Sequence, residues 1–357
     1  MLKKEIIGLM SGTSLDGLDI AHVEFVSVNK KVTYKLMKTS TVGYPKDLLG
    51  QLRRINTAEI DEIQMLNKKI GSFFAKQVNL FISEHGISKI NIDAIASHGQ
   101  TILHQPENGF TLQIGCGSTI AFLTGINVIN DFRSLDVIAG GQGAPLVPIG
   151  DFDLFESKAD SFLNIGGFCN ISFKKENIIH AFDICPGNLP LNHFAGELGH
   201  DYDPMGSLAK NGKVNIDLLK NLNSIEFYNK IGAKSLGTEW LDKNFYTKFK
   251  ENEKPENILR TICAHISNQI IKCLNEHQLK SVFATGGGVK NNFLMSLIID
   301  GYNGNVVVPK EETIDFKEAI VFAYLGYKYL VNESNTVSSV TGAERSLCAG
   351  VFHKPGY

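Results

Sequence analysis

Apolar positions along the chain recur in two different periods. Residues 6–9 form a short apolar run that stops at a Gly-rich stretch, residues 10–17. Residues 20–28 and 32–41 follow with strand-like composition. Asn29-Lys30-Lys31 joins them and Gly43-Tyr44-Pro45 closes the second, which predicts a hairpin. The period then changes. Ile60, Ile63, Leu66, Ile70, Phe73, Phe74 and Phe81 recur at spacings of three, four and seven, predicting a long amphipathic helix that Gly86 stops. Residues 92–96 predict another short strand, which ends in Ser97-His98-Gly99-Gln100-Thr101.

The second half begins again in the same way. Residues 162–165 predict a strand ending in Gly166-Gly167. Strands at 170–174 and 178–184 follow, the latter ending in Cys185-Pro186-Gly187-Asn188. Helices are predicted at 189–198 and at 257–276, where Leu259, Ile262, Ile266 and Ile270 share one stripe. A strand at 281–284 runs into Thr285-Gly286-Gly287-Gly288, and residues 316–330 predict a late helix. Each half therefore offers a strand, a Gly-rich turn, two more strands, a helix and a strand with a polar end. This duplicated topology favours an α/β fold with its site at strand ends. The Gly-dense stretch 130–150 is the expected crossing, with domains at 1–131 and 132–357.

Composition changes this picture in one respect. Of 357 residues, 34 are Gly, about one in ten, against an average near 7%. With 43% hydrophobic residues the chain is neither collagen-like nor disordered, so the excess suggests backbone that something must approach closely. Formal net charge is −2 without a basic stripe, which argues against nucleic acid as a partner. No apolar run reaches the length of a membrane span, and no signal peptide is expected from the N-terminus. Six scattered cysteines without a C-x-x-C pair fit a reducing, cytoplasmic setting.

Four Gly-rich stretches carry the candidate chemistry. In the first, a turn holding Ser11, Gly12, Thr13 and Ser14 offers backbone N–H groups and hydroxyls suited to phosphate oxygens. Asp16 and Asp19 could hold magnesium or a sugar hydroxyl. An ordinary hairpin turn is the alternative. Gly166 and Gly167 read as a second phosphate loop, or as a β-bulge. Gly286, Gly287 and Gly288, between strand and helix, would let an adenine or ribose lie on the backbone near a helix N-terminus. In the fourth, residues 130–145, Arg133 is either a structural ion pair or a carboxylate or phosphate clamp. Asp183, near the end of an apolar strand, is placed as a general base, with a turn-capping role as the alternative. His98 reads as a positioning residue rather than a base, and His104, His193 and His200 show no metal-ligand spacing. A P-loop, a complete G-x-G-x-x-G, a G-x-S-x-G elbow and the protein-kinase motif set are all absent from the sequence.

Taken together, these blocks resemble one family. Ser11-Gly12-Thr13-Ser14-Leu15-Asp16-Gly17-Leu18-Asp19 is similar to a signature of the 1,6-anhydro-N-acetylmuramic acid kinases. So are Ser97-His98-Gly99-Gln100-Thr101, Asp131-Phe132-Arg133 with residues 140–148, and residues 164–167. The similarity continues through Phe182-Asp183 with Pro186-Gly187-Asn188, Tyr202-Asp203 with Gly206, Gly286-Gly287-Gly288, Lys317-Glu318-Ala319 and Thr341-Gly342-Ala343, in the family's order.

The resemblance implies two ribonuclease-H-like (actin-like ATPase) domains around a nucleotide cleft. It implies an ATP- and magnesium-dependent kinase of peptidoglycan recycling that opens the 1,6-anhydro ring with water and phosphorylates O6. The products would be N-acetylmuramic acid 6-phosphate and ADP. Asp183 matches the family's base, and Gly12 to Asp19 its ATP phosphate segment. Ser97, His98, Arg133 and Glu318 match positions expected near the amino sugar. A cytoplasmic homodimer is expected. The alternative is a kinase of another sugar hydroxyl on the same fold. This chain departs from the pattern at Cys185, Asn192, Leu236 and Thr238, where Gly, Asp, Thr and Arg are usual.

Overall fold

The computed structural model describes residues 1–230, 232, 234–250 and 253–356. Contacts divide the chain into a first unit, residues 1–154 with 316–357, and a second, residues 155–315. The boundary expected between residues 131 and 132 lies inside the first unit, and the late helix and C-terminus return to that unit.

The first unit begins with β1 (Leu2–Ser11), β2 (Leu18–Val28), β3 (Lys31–Val42), α1 (Lys46–Arg53) and α2 (Ile60–Glu84). It continues with β4 (Ala94–Gln105), β5 (Phe110–Ile114), α3 (Gly117–Thr124), β6 (Val128–Asn130), α4 (Ser134–Ile138) and α5 (Pro148–Leu154). The second contains β7 (Ser161–Ile165), β8 (Phe168–Lys175), β9 (Ile178–Pro186), α6 (Asn188–Gly196), α7 (Ser207–Asn211), α8 (Ile216–Asn223) and α9 (Thr238–Trp240). Then come α10 (Pro255–Glu276), β10 (Ser281–Thr285), α11 (Asn292–Gly301) and β11 (Asn305–Val307). Helix α12 (Glu311–Leu330) leads back to the first unit, which ends with α13 (Ser338–Thr341) and β12 (Val351–His353).

The duplicated topology is real. In the first sheet the order β3-β2-β1-β4-β6 runs to β12 at one edge, with β5 paired to β4. The second sheet has the order β9-β8-β7-β10-β11. In each, the first three strands are antiparallel neighbours, and the fourth and fifth run parallel to the first. This is the mixed α/β, two-domain architecture expected from the resemblance.

The first sheet is covered on both faces, which is why β1 reads as a continuous apolar run. Ile7, Leu9 and Ile20 face a core with Phe74 and Val78 of α2. Ile6, Ala21 and Phe25 face the other way, onto Ile320 and Tyr324 of α12. Helix α2 starts at a capping box between Glu59 and Glu62 and is followed by Gly86 at φ +61°. In the second unit, the stripe Leu259, Ile262, Ile266 and Ile270 of α10 is buried against Leu163, Ile171 and Val282 of the sheet.

Strand β4 is longer than its apolar run. It extends to Gln105, so Ser97-His98-Gly99-Gln100-Thr101 lies within the strand rather than beyond it. Its first half pairs parallel with β1 and β6, and from Gln100 it pairs antiparallel with β5. Gly99, at φ +76°, sits at the change of partner.

Helix α12 reaches the sheet through small residues. Ala319, Ala323 and Gly326 recur at i, i+4 and i+7, and a Cβ on Gly8 would land on the backbone of Ala319. A Cβ on Gly326 would lie 2.6 Å from that of Ala96. Gly8 therefore serves helix packing. Gly8→Ala is expected to destabilise the protein by about 1–3 kcal/mol, as overpacking does. Gly43→Ala, where an added Cβ meets nothing within 4 Å, is the control and should change stability by less than about 0.5 kcal/mol. Urea unfolding of the two variants checks both.

Candidate active site

The candidate residues fall into one cluster in each unit. In the first, the β1–β2 connection is anchored at its base. Ser11 is buried, and its hydroxyl donates to the Gln100 side-chain carbonyl and bonds Tyr44 Oη at 2.6 Å. Gln100 Nε2 donates to the Gly12 carbonyl at 3.2 Å, which also accepts the Leu15 N–H. Thr13, Ser14 and Asp16 are left exposed on the turn, with Leu15 at φ +60°. Gly17 lies against the Val42 carbonyl and Leu18 is a core residue, so their side of the loop faces protein. Asp19 emerges on β2, where Thr41 Oγ1 donates to it at 2.6 Å.

Beside this loop lies a buried polar chain. His98 Nδ1 pairs with the Ser11 carbonyl at 3.2 Å, so Nδ1 carries the proton. Its Nε2 accepts from Arg133 Nε at 3.2 Å and Nη2 at 3.0 Å. Arg133 Nη1 donates to the Gly143 carbonyl at 2.6 Å. Burial, with the Arg133 charge adding to it, pushes the His98 pKa down to about 3. His98 is thus a neutral acceptor against Phe322, 4.6 Å between rings, and not an acid or base. Burial lowers Arg133 to about 10, opposed by the charges of Glu318 and Asp136, so it stays cationic at neutral pH. Ser97 is fully buried and its hydroxyl accepts the Gly99 N–H at 3.2 Å, so its polar group is used within the strand.

Glu318, on α12, has its pKa raised mainly by burial. Lys317 and Arg133 oppose the rise, and the charges of Asp19 and Asp151 add to it. Lys317 itself pairs with Asp151 at 2.7 Å, both buried. The larger charge effects on Glu318 are thus those of the cations Lys317 and Arg133, with Asp19 a smaller opposing one. No group of three or more His, Cys, Asp or Glu among the described residues could hold a metal alone. Asp16, exposed on the turn, and Asp19 would supply the one or two carboxylates that magnesium takes when water and phosphate oxygens complete its shell.

In the second unit, three Gly-containing blocks converge at the end of β7. The Gly166 and Gly167 carbonyls accept the N–H groups of Asn188 and Gly187, at 2.8 and 2.9 Å. Asn188 Nδ2 reaches the Ile165 carbonyl at 3.4 Å. Gly286, at φ +87°, lies so close that a Cβ would sit 2.5 Å from Asn164 Oδ1 and 2.7 Å from the Ile165 carbonyl. A Cβ on Gly288 would strike the Ile165 side chain, whereas one on Gly287 would meet only Asn188 Nδ2, at 3.7 Å. Packing on β7 thus accounts for Gly286 and Gly288, and Gly287 is the open position. The start of α11 is already capped by Asn291, which accepts the Leu294 N–H at 2.9 Å. The helix end expected beside the Gly run therefore has its own cap.

Asp183 stands one residue before a register shift in the β8–β9 pairing. Asn170 faces Asp183 and Cys169 faces Cys185, so Ile184 is the extra residue. Such a bulge re-aims the neighbouring side chains. The carboxylate accepts the Leu236 N–H at Oδ2, 2.8 Å away, and the Asp183 N–H donates to the Lys234 carbonyl at 2.9 Å. Burial raises its pKa to about 6, and the Leu236 N–H restrains the rise. A carboxylate of that strength is ionised at neutral pH yet basic enough to take a proton from a water or hydroxyl in a transition state.

Several structural partners were not legible as such. Gln100, Asp136 and Leu236 sit in or near the recognised blocks without a signal of their role. Asp136, fully buried, accepts the Gly143 N–H and the Thr341 hydroxyl, each at 2.8 Å. It thereby ties the Gly140–Gly143 loop to Thr341 near the C-terminus.

Comparison with known proteins gives the family. The anhydro-N-acetylmuramic acid kinase family profile matches residues 4–355. An anhydro-N-acetylmuramic acid kinase of Francisella tularensis subsp. novicida is 36% identical over 373 residues, covering 97% of this chain and 98% of that protein. One from Shewanella oneidensis is 36% identical over 370 residues, covering 98% of each. Among solved structures, component A of the Acidaminococcus fermentans (R)-2-hydroxyglutaryl-CoA dehydratase aligns at TM-score 0.46 and 11% identity. That alignment covers 92% of this chain and 99% of the other, and its similarity is too low to add to the assignment. Matched from end to end by the profile and by relatives of its own length, the chain belongs to the anhydro-N-acetylmuramic acid kinase family.

Proposed function

We propose that this protein uses ATP and water to convert 1,6-anhydro-N-acetylmuramic acid into N-acetylmuramic acid 6-phosphate and ADP, as a step in reuse of cell-wall sugar. The observation that carries this reading is Asp183: a half-buried carboxylate with its pKa near 6, oriented by one backbone N–H. Asp183 takes a proton from the water whose oxygen forms the new bond to C1. The C1–O6 bond breaks with its electron pair on O6. That pair forms the bond to the γ-phosphorus of ATP while the bond to the bridging oxygen breaks, releasing ADP. Negative charge leaving C1 thus passes directly to phosphorus instead of accumulating on O6.

The other residues bind and orient. The exposed N–H and hydroxyl groups of Thr13 and Ser14, on a turn anchored at Gly12, suit phosphate oxygens. The turn at Gly287, without a side chain, suits the flat face of a nucleoside. Arg133, held in place by His98 and Gly143, offers a fixed cation to the sugar's carboxylate or to a phosphate. Asp16 and Asp19 would hold magnesium, which when bound neutralises phosphate charge, and Glu318, whose charge acts on Arg133, is assigned to the sugar. The reading includes a cytoplasmic homodimer. All six cysteines are unpaired, as in a reducing compartment, and no helix among the described residues is long and apolar enough to cross a membrane.

Four outcomes are expected. Incubation with ATP and the anhydro sugar in oxygen-18 water should place label at C1 of the phosphorylated product. An unlabelled phosphosugar would mean a plain hydroxyl kinase on this fold. Asp183→Asn should lower kcat by about 10²–10⁴-fold, and wild-type kcat/KM should rise with pH through about 6. The same residue has a stability signature. Its carboxyl binds a proton more tightly folded, at about 6, than at its ordinary value of 3.8. Its contribution to stability is therefore greatest below the ordinary value and is lost as pH rises through about 6. Asp183→Asn should melt above wild type at about pH 8, and the gap should close by about pH 4; differential scanning calorimetry reads it.

A further inference from the structure

Asp183 is held by one short segment on two sides. Its N–H donates to the Lys234 carbonyl and its Oδ2 accepts the Leu236 N–H, so residues 234–236 grip both its backbone and its carboxylate. That segment is held by Leu236, packed on the core of the second unit, and by the Lys234 side chain. Its ammonium lies 4.9 Å from the centre of the Phe227 ring and 5.7 Å from that of Phe182, the residue next to Asp183. Nζ also donates to the Phe227 carbonyl at 3.3 Å. Phe227 is buried in the core of the second unit, against Trp240 and Tyr228. The lysine thus ties the segment to a rigid aromatic cluster on one side and to the strand of the base on the other.

The geometry points to Lys234 as a positioning residue for the reaction: held between Phe182 and Phe227, it helps fix the segment whose Leu236 N–H orients the Asp183 carboxylate. The inference rests on Asp183 being the base. The charged and titratable groups around Lys234 are Lys272, Cys273 and Glu276 of α10, Cys185 of β9, and His277, which follows α10 against Phe182 and whose pKa is lowered by burial and in part by the lysine charge. Cys185 also senses the charge of Asp183. Burial and Lys272 oppose the lysine's charge and Glu276 favours it, while burial keeps both thiols protonated at neutral pH. Because the Leu236 N–H favours the ionised carboxylate, loosening the segment weakens that bond. The acid limb of the reaction then moves to higher pH, in addition to any loss of orientation.

The test compares Lys234→Met, which keeps the stem and removes the charge, with Lys234→Arg, which keeps a cation over the rings. Phe227→Leu removes the ring from the other side and carries the same test if the Met variant does not fold. The Met variant is expected to lower kcat by about 10–100-fold, the equivalent of one hydrogen bond to a charged group. Its kcat/KM profile should shift to higher pH, with KM for ATP unchanged. The Arg variant should recover kcat to within a few-fold and restore the profile. Wild-type kcat and pH profile in Lys234→Met would overturn the proposal. So would a rise in sugar KM alone, which would make Lys234 a binding residue instead. Asp183→Asn is run beside them. If it too retains turnover, the base assignment fails; if it is inactive while Lys234→Met is normal, only the role of Lys234 fails.

Discussion

Burial of the Asp183 carboxylate against a single backbone N–H is the interaction on which the candidate chemistry depends. A carboxylate in water is too weak a base to help a neutral water attack a sugar carbon. Burial strengthens it, and the Leu236 N–H limits how far. With more donors it would become a weaker base; with none its pKa would rise further still. The structure supplies the intermediate case by placing the residue beside a bulge in β9, where the pairing to β8 shifts and the side chain turns toward the 234–236 segment.

The first unit uses the same topology for the opposite electrostatic purpose. Its candidate site centres on the partly buried Arg133 cation, which keeps its proton because Glu318 and Asp136 favour it and because His98 meets it as a neutral acceptor. A protonated imidazole at that position would repel the guanidinium, and burial prevents one from forming. Two sheets with the same strand order thus hold a basic carboxylate in one unit and a permanently charged guanidinium in the other. Topology fixes where strand ends lie; the side chains at those ends decide the sign of the charge they stabilise.

Legibility in the sequence follows from locality. Strand β2 and helices α2 and α10 announce themselves because each buries a periodic set of its own residues, β1 does so by a continuous apolar run, and β3 by alternating half-buried positions. The short elements α3, α4 and α5, with β5 and β6, do not, since a few residues carry too little period and their stability comes from neighbours. The extension of β4 through Ser97-His98-Gly99-Gln100-Thr101 is hidden because its polar residues are satisfied by partners distant in sequence, Ser11 and Arg133. The return of α12 to the first unit depends on small residues meeting Gly8 and Ala96, a fit that composition does not reveal. At the site, Asp183 and Arg133 stand out by residue type. The Leu236 N–H does not, because any residue but Pro offers the same donor.

The Gly excess shows how one signal can have two causes. Gly8 admits a helix and Gly286 and Gly288 admit the end of β7, so each answers a demand of packing. Gly12 and Gly287 meet no backbone closely, with only the Ser14 hydroxyl at 3.6 Å and Asn188 Nδ2 at 3.7 Å near an added Cβ. Open space alone is not a mark of binding, because an added Cβ at Gly43 or Gly50 meets nothing within 4 Å either. What separates Gly12 and Gly287 is their setting, between residues that packing and hydrogen bonds already fix. Within a single Gly-Gly-Gly run, packing therefore explains the outer two glycines and leaves the middle one to the nucleoside of the proposed function.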